Sequence, residues 1–293
     1  MRPFRISVPA SSANIGPGFD SMGLAVNLYL TLEVTQSEKW EFNSPSLTSN
    51  DNVEEHFIYQ IAKKIAERHH STLPTCKITE TSDIPLARGL GSSASAILAG
   101  IELANQACEL HLSAEDKLQY GTEIEGHPDN IAPALFGGLI ISTLTDNEIN
   151  WLQAPALDVD LVIYIPDVEL KTEAARQVLP DSYSRDHAAT ASGISNLVVA
   201  ALLSSDYKLA GKMMEQDMFH ESYRSELIPN YDLIRKEAKS HGAYGTVISG
   251  AGPTMISFAP KGGGQTVAEP LQALLPNYRV GVLEIDMQGL TVE

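Results

Sequence analysis

The sequence predicts an α+β protein built from two layered domains, and three observations carry that expectation. Its 293 residues, 43% hydrophobic and 19% charged, are enough for one large or two medium cores. Strand-type and helix-type patterns mix without the regular alternation of a doubly wound sheet. The pattern also breaks at 146–157, around Asp146-Asn147-Glu148 and Pro155, which divides the chain into residues 1–155 and 156–293.

Taken in order, Phe4, Ile6 and Val8 alternate within 3–9, and Val26, Leu28, Leu30, Leu32 and Val34 alternate within 24–34, so both stretches read as strands. Phe57, Ile58, Ile61, Ala62 and Ile65 recur at helical spacing within 53–68, and a short strand at 77–79 follows. Helices are predicted at 92–109, 113–124 and 128–136, then a strand at 139–144. Beyond the break, a buried strand at 161–165 precedes helices at 172–179, 187–205, 207–217 and 230–240. Strands at 245–249 and 254–259, a helix at 265–275 and a strand at 279–285 complete the chain.

Composition excludes several function classes. A net charge of −17 argues against a nucleic-acid partner, because such binding is dominated by cationic contacts to phosphate. No run approaches the ~18 apolar residues of a membrane span. Met1-Arg2-Pro3-Phe4-Arg5 leads into a strand and lacks the apolar centre of a signal peptide, so a cytoplasmic location is expected. Cys76 and Cys108 sit in apolar patterns without metal-ligand spacing and read as buried thiols.

Four segments carry chemistry. Pro85-Leu86-Ala87-Arg88-Gly89-Leu90-Gly91-Ser92-Ser93-Ala94-Ser95 precedes a helix whose buried face is Ala94, Ile97, Leu98, Ile101, Ala104 and Cys108. Such a loop is either a plain N-cap or an anion cradle of backbone amides and hydroxyls. It has no Gly-Lys-Ser/Thr ending, so it is not a P-loop. Pro9 to Asp20 interrupts two strands with small residues, Asn14 offering donor and acceptor and Asp20 a carboxylate. Glu123-Ile124-Glu125-Gly126-His127-Pro128-Asp129-Asn130 gathers carboxylates near a histidine. Ser249-Gly250-Ala251-Gly252-Pro253-Thr254 is a third glycine-rich loop between strands.

The four in this order resemble the kinases named for galactokinase, homoserine kinase, mevalonate kinase and phosphomevalonate kinase, the GHMP kinases. Residues 85–94 are similar to that family's phosphate-binding motif, and 9–20 and 249–254 to its N-terminal and C-terminal motifs. Within the family the chain looks most like the homoserine kinases. Ser11 to Asp20, His127 to Asn130, Leu170-Lys171-Thr172-Glu173-Ala174-Ala175-Arg176 and His220-Glu221-Ser222-Tyr223-Arg224 carry that closer likeness.

The resemblance implies an N-terminal domain with a left-handed β-α-β crossover, a ferredoxin-like C-terminal domain and an active site between them. It implies ATP as phosphoryl donor, with residues 85–95 around the triphosphate and Mg²⁺ on Ser93 and Glu125, Glu123 being the alternative carboxylate. L-homoserine would be the acceptor, its hydroxyl and ammonium ends met by Asn14, His127 and Asp129. Arg176 and Arg224 would clamp the carboxylate, with Thr172 on the same pocket face. Asn14, Asp20 and Arg224 are the catalytic candidates, and Asp20 either accepts the hydroxyl proton or only orients substrate. Asn52 and its neighbours are candidates for the adenine contact, and relatives suggest a homodimer. Two rival readings stay open: a family member acting on another small alcohol, and a nucleotide-binding regulator without catalysis.

Overall fold

The computed structural model describes residues 1–44 and 53–293. Strand β1 (Phe4–Ala13) pairs antiparallel with β2 (Met22–Gln36), with a register shift between Pro9 and Ala10. Both strands outrun their apolar alternation because the pairing continues through small polar residues; Ser11 and Ser12 are fully buried. The short β3 (Glu41–Asn43) lies parallel to β4 (Cys76–Ser82), with α1 (Phe57–Arg68) between them in sequence. Helix α2 (Ser92–Ala107) packs on β1 and β2, and α3 (Ala114–Glu125) and α4 (Pro128–Phe136) pack beside it.

The predicted interdomain break is structured. Strand β5 (Leu139–Thr145) turns through Asp146 and Asn147, both at positive φ (51° and 65°), into β6 (Glu148–Gln153). Two successive residues at positive φ are what a type I′ two-residue hairpin requires. The polar cluster that reads as a linker is therefore a hairpin turn. The chain leaves the first sheet only after Gln153.

The second sheet begins at β7 (Val159–Pro166). Five helices follow: α5 (Thr172–Gln177), α6 (Arg185–Leu203), α7 (Tyr207–Met214), α8 (Glu221–Arg224) and α9 (Tyr231–Ser240). Then come β8 (Gly245–Ile248), β9 (Met255–Pro260), α10 (Gly264–Leu274) and β10 (Tyr278–Leu283). The sheet order β10-β7-β9-β8, antiparallel throughout, is that of a ferredoxin-like βαββαβ unit.

Strand β7 is buried on both faces. Leu161, Ile163 and Ile165 join the large core shared with the first sheet, while Val162 and Tyr164 join a smaller core with Tyr231, Ile234, Val267 and Leu271. A strand covered on both sides needs no polar face, which explains its continuous apolar run. Finally β11 (Thr291–Val292) crosses back to the first sheet and pairs with β1. Among the described residues no helix is long and apolar enough to cross a membrane. Cys76 is buried as expected and Cys108 only half-buried.

Candidate active site

One cleft between the two sheets collects the four segments: Asn14, Phe19, Asp20, Ala87, Arg88, Gly89, Gly91, Ser92, Ser93, Glu125, His127, Asp129, Thr172, Arg176, Arg224 and Gly250 all line it, while Leu90, inside the glycine loop, turns into the core.

Its first wall follows from the end of β1. Asn14 and Ile15 take positive φ (72° and 49°), turning the chain sharply. The Asn14 side chain closes this turn, accepting from the Asp20 amide (3.0 Å) and donating Nδ2–H to the Gly250 carbonyl (2.8 Å). Asn14 is thus largely committed to holding two loops together.

The glycine loop forms the second wall. Gly89 and Gly91 have φ of 75° and 68°. A Cβ on Gly89 would come within 2.2 Å of the Ser249 carbonyl oxygen, so the 249–254 loop requires glycine there. Ser249 Oγ bonds both Ser12 Oγ (2.8 Å) and the Gly89 carbonyl (2.6 Å), fixing all three glycine-rich segments to one another. Gly91 is the N-cap of α2 and supplies no side-chain cap. The plain N-cap reading of the serines therefore fails, and Gly91, Ser92 and Ser93, at the positive end of the helix dipole, line the cleft. The Arg88 guanidinium is engaged by backbone carbonyls. It donates to the carbonyls of Leu86, Pro166 and Asp167, tying the loop to the end of β7.

At the junction of α3 and α4, Glu125 Oε2 accepts from Ser93 Oγ (2.8 Å). Glu123 instead pairs with Arg68 (2.6 Å) on the surface and does not line the cleft. His127 bonds the buried Asp129 through Nδ1. Burial disfavours a charged His127 ring, yet the Asp129 hydrogen bond and the charges of Asp129, Asp20 and Glu125 lift its pKa above the ordinary value.

The far end is cationic. Arg176 grips Asp20 with two bonds, Nη2 to Oδ1 at 2.8 Å and Nη1 to Oδ2 at 3.2 Å. Arg224 is 2% exposed and donates Nε–H to the Ala175 carbonyl (3.0 Å) and Nη1–H to the Gly250 carbonyl (3.3 Å). Burial and the Arg176 charge pull its pKa down to about 10, which leaves it a cation at neutral pH. Phe19, absent from the sequence expectations, lies under both: the guanidinium carbons of Arg176 and Arg224 stand 5.6 and 5.3 Å from its ring centre. Two guanidinium groups beside one aromatic ring can fork a single anion. The only signal for Phe19 is one aromatic residue in a loop of small ones.

Beside Ser92 and Ser93 a separate apolar cavity of about 560 Å³ opens, with Leu30, Phe57, Ile84, Leu86 and Ala96 in its walls.

Comparison with known proteins places this architecture. The pattern of the GHMP kinases N terminal domain matches residues 56–138 and that of the GHMP kinases C terminal matches 198–277. A homoserine kinase of Oceanobacillus iheyensis is 59% identical over the whole of both chains. The chain belongs to the GHMP kinase family, in its homoserine kinase branch. A second homoserine kinase, of Halalkalibacterium halodurans, is 49% identical, with 99% of this chain and 95% of that one covered. The crystal structure of a homoserine kinase from Cytophaga hutchinsonii superposes with a TM-score of 0.86 at 27% identity, covering 100% of this chain and 98% of that one. In this GHMP kinase the glycine loop, the Ser93–Glu125 pair and the two-arginine fork thus share one cleft.

Proposed function

We propose that this GHMP kinase transfers the γ-phosphoryl group of ATP to the side-chain hydroxyl of L-homoserine, giving O-phospho-L-homoserine and ADP, a step toward threonine. The observation that carries the reading is the pairing, in one cleft, of an uncapped helix N-terminus behind a glycine loop with the Arg176–Arg224 fork on Phe19. The first suits a triphosphate and the second an amino-acid carboxylate. The names of the relatives agree with both.

ATP places its phosphates along residues 85–95 and its base in the apolar cavity next to Ser92 and Ser93. Asn52, the adenine candidate from the sequence, lies outside the described residues. A serine hydroxyl and a carboxylate already 2.8 Å apart are hard oxygen donors that fit Mg²⁺. The rival cluster of Asp20, His127 and Asp129 is committed to Arg176 and to its own internal hydrogen bond. Ser93 and Glu125 would hold the ion, which when bound would supply charge neutralisation for the triphosphate.

Homoserine sets its carboxylate between Arg176 and Arg224 beside Thr172, and its ammonium among the carboxylates of Asp20 and Asp129. His127 and Asn14 bracket the hydroxyl. Arg176 engages both oxygens of Asp20, so Asp20 orients charge more than it extracts a proton. A loose transition state needs little deprotonation of the nucleophile before transfer. The reading includes two domains, residues 1–155 and 156–293, a cytoplasmic location and a homodimer.

The test is ADP release with ATP and Mg²⁺ against homoserine, mevalonate, galactose and shikimate. Turnover confined to homoserine is expected. No ADP with homoserine alongside brisk turnover of another alcohol overturns the assignment.

A further inference from the structure

The cleft residues rest on a layer that the reaction itself does not call upon, and its centre is His220. This imidazole is fully buried, yet every polar atom of it is used. Nε2 lies 2.9 Å from the Gly16 carbonyl, which can only accept, so Nε2 carries the hydrogen. Nδ1 lies 3.4 Å from Arg224 Nη1, which can only donate, so Nδ1 offers its lone pair. The two partners together fix one neutral tautomer. Burial first, and then the Arg224 charge, hold the ring below its ordinary pKa and keep it neutral. The ring face stacks on Phe19 at 5.4 Å and 27°. Asp217 locks the backbone beneath, its carboxylate accepting from the amides of His220 (2.8 Å) and Glu221 (2.7 Å).

We infer that His220 is a positioning residue for acceptor specificity, aiming Arg224 at the substrate carboxylate through its Nδ1 lone pair while Nε2–H and the ring face hold the Gly16 to Phe19 turn in register. The inference rests on the proposed homoserine reading. It goes beyond that reading in assigning carboxylate selectivity to a group that never touches substrate.

The two ring nitrogens can be replaced one at a time. In His220→Asn the amide oxygen stands near the Nδ1 position and keeps an acceptor for Arg224. In His220→Gln the amide reaches the Nε2 position and keeps a donor for Gly16, but Arg224 loses its acceptor. Steady-state kinetics are measured with homoserine and with 3-amino-1-propanol, which lacks the carboxylate. Losing one hydrogen bond to a charged group is expected to raise the homoserine KM of His220→Gln by about 10- to 100-fold. Its ATP KM and its kcat/KM for the amino alcohol stay within about threefold of wild type. His220→Asn recovers most of the homoserine KM.

Equal losses on both acceptors, or equal losses in the two variants, overturn the inference and leave His220 a packing residue. If His220→Gln does not fold, His220→Asn decides alone, a large rise in its homoserine KM being the overturning result. Failure of both variants to fold also assigns His220 to packing. A wild-type enzyme inactive on homoserine fails the functional reading instead, so the two failures are separable.

Discussion

Replacing Asp20 by Asn separates alignment from base catalysis. The substitution keeps the shape and one acceptor oxygen but removes the negative charge that Arg176 grips at 2.8 and 3.2 Å. The two side chains are 37% and 40% exposed, so the ion pair contributes roughly 1 kcal/mol or less to stability and the melting temperature should hardly move. The larger effect falls on turnover. If Asp20 only orients Arg176 and the substrate ammonium, the loss equals about one charge-assisted hydrogen bond, about 1.5–3 kcal/mol. That converts to a fall in kcat of about 10- to 150-fold. The assay is ADP release at saturating ATP, Mg²⁺ and homoserine. A fall of about four or more orders of magnitude refutes the reasoning and makes Asp20 an essential general base.

Three other perturbations test separate parts of the structure. Gly89→Ala forces a non-glycine residue to φ 75° and drives its Cβ onto the Ser249 carbonyl; a stability loss of at least about 2 kcal/mol in urea denaturation is expected, with a raised ATP KM, and wild-type stability would contradict the close packing of these loops. Glu125→Gln should raise the Mg²⁺ concentration for half-maximal rate by about tenfold or more, whereas Glu123→Gln should not; equal shifts would remove Glu125 from the metal site. Burial raises the Glu221 carboxyl from 4.5 to about 8 despite its bonds from Tyr231 and the Ile248 amide. Between these values the folded state keeps a proton that the unfolded chain has lost, so stability falls as pH rises from about 4.5 to about 8. Denaturation across that range should show the slope in the wild type and a flatter profile in Glu221→Gln; identical slopes would show that Glu221 titrates normally.

What the sequence made legible divides along physical lines. The helices and long strands follow from local periodicity, and α2, α3, α4 and α9 begin and end within about two residues of expectation because a helix face is written in nearby residues. The glycine loops were legible because positive φ and close backbone approach leave a mark in composition. Tertiary pairing leaves no such mark. The β5–β6 hairpin looked like a linker because its turn residues are also linker residues. Strand β11 is two residues long and exists only through β1. Nor does the loop motif show that Arg88, one of residues 85–95, bonds the carbonyls of Pro166 and Asp167. Arg176 and Arg224 were named from the motifs and line the cleft, but the Phe19–His220 ring contact beside them joins residues some 200 positions apart, which no spacing rule encodes. Asp160 likewise accepts from the Gly264 amide at the start of α10 at 3.0 Å, a contact 104 positions apart that no local pattern encodes.

The bonds from Ser249 to Ser12 and Gly89, from Leu170 to Ala87, and from Arg88 to the end of β7 have a metrological consequence. They join the glycine loop to the 249–254 loop, to β1 and to the stretch that leads into Thr172 and Arg176, so the gap across the cleft is a fixed gauge. On the proposed reading an amino acid is measured by reach: homoserine, anchored by its carboxylate, carries its hydroxyl across the gap, and serine, one methylene shorter, sits in the same anchor and falls short. Serine should then occupy the cleft as a competitive inhibitor without being phosphorylated, its exclusion set by length and requiring no steric barrier.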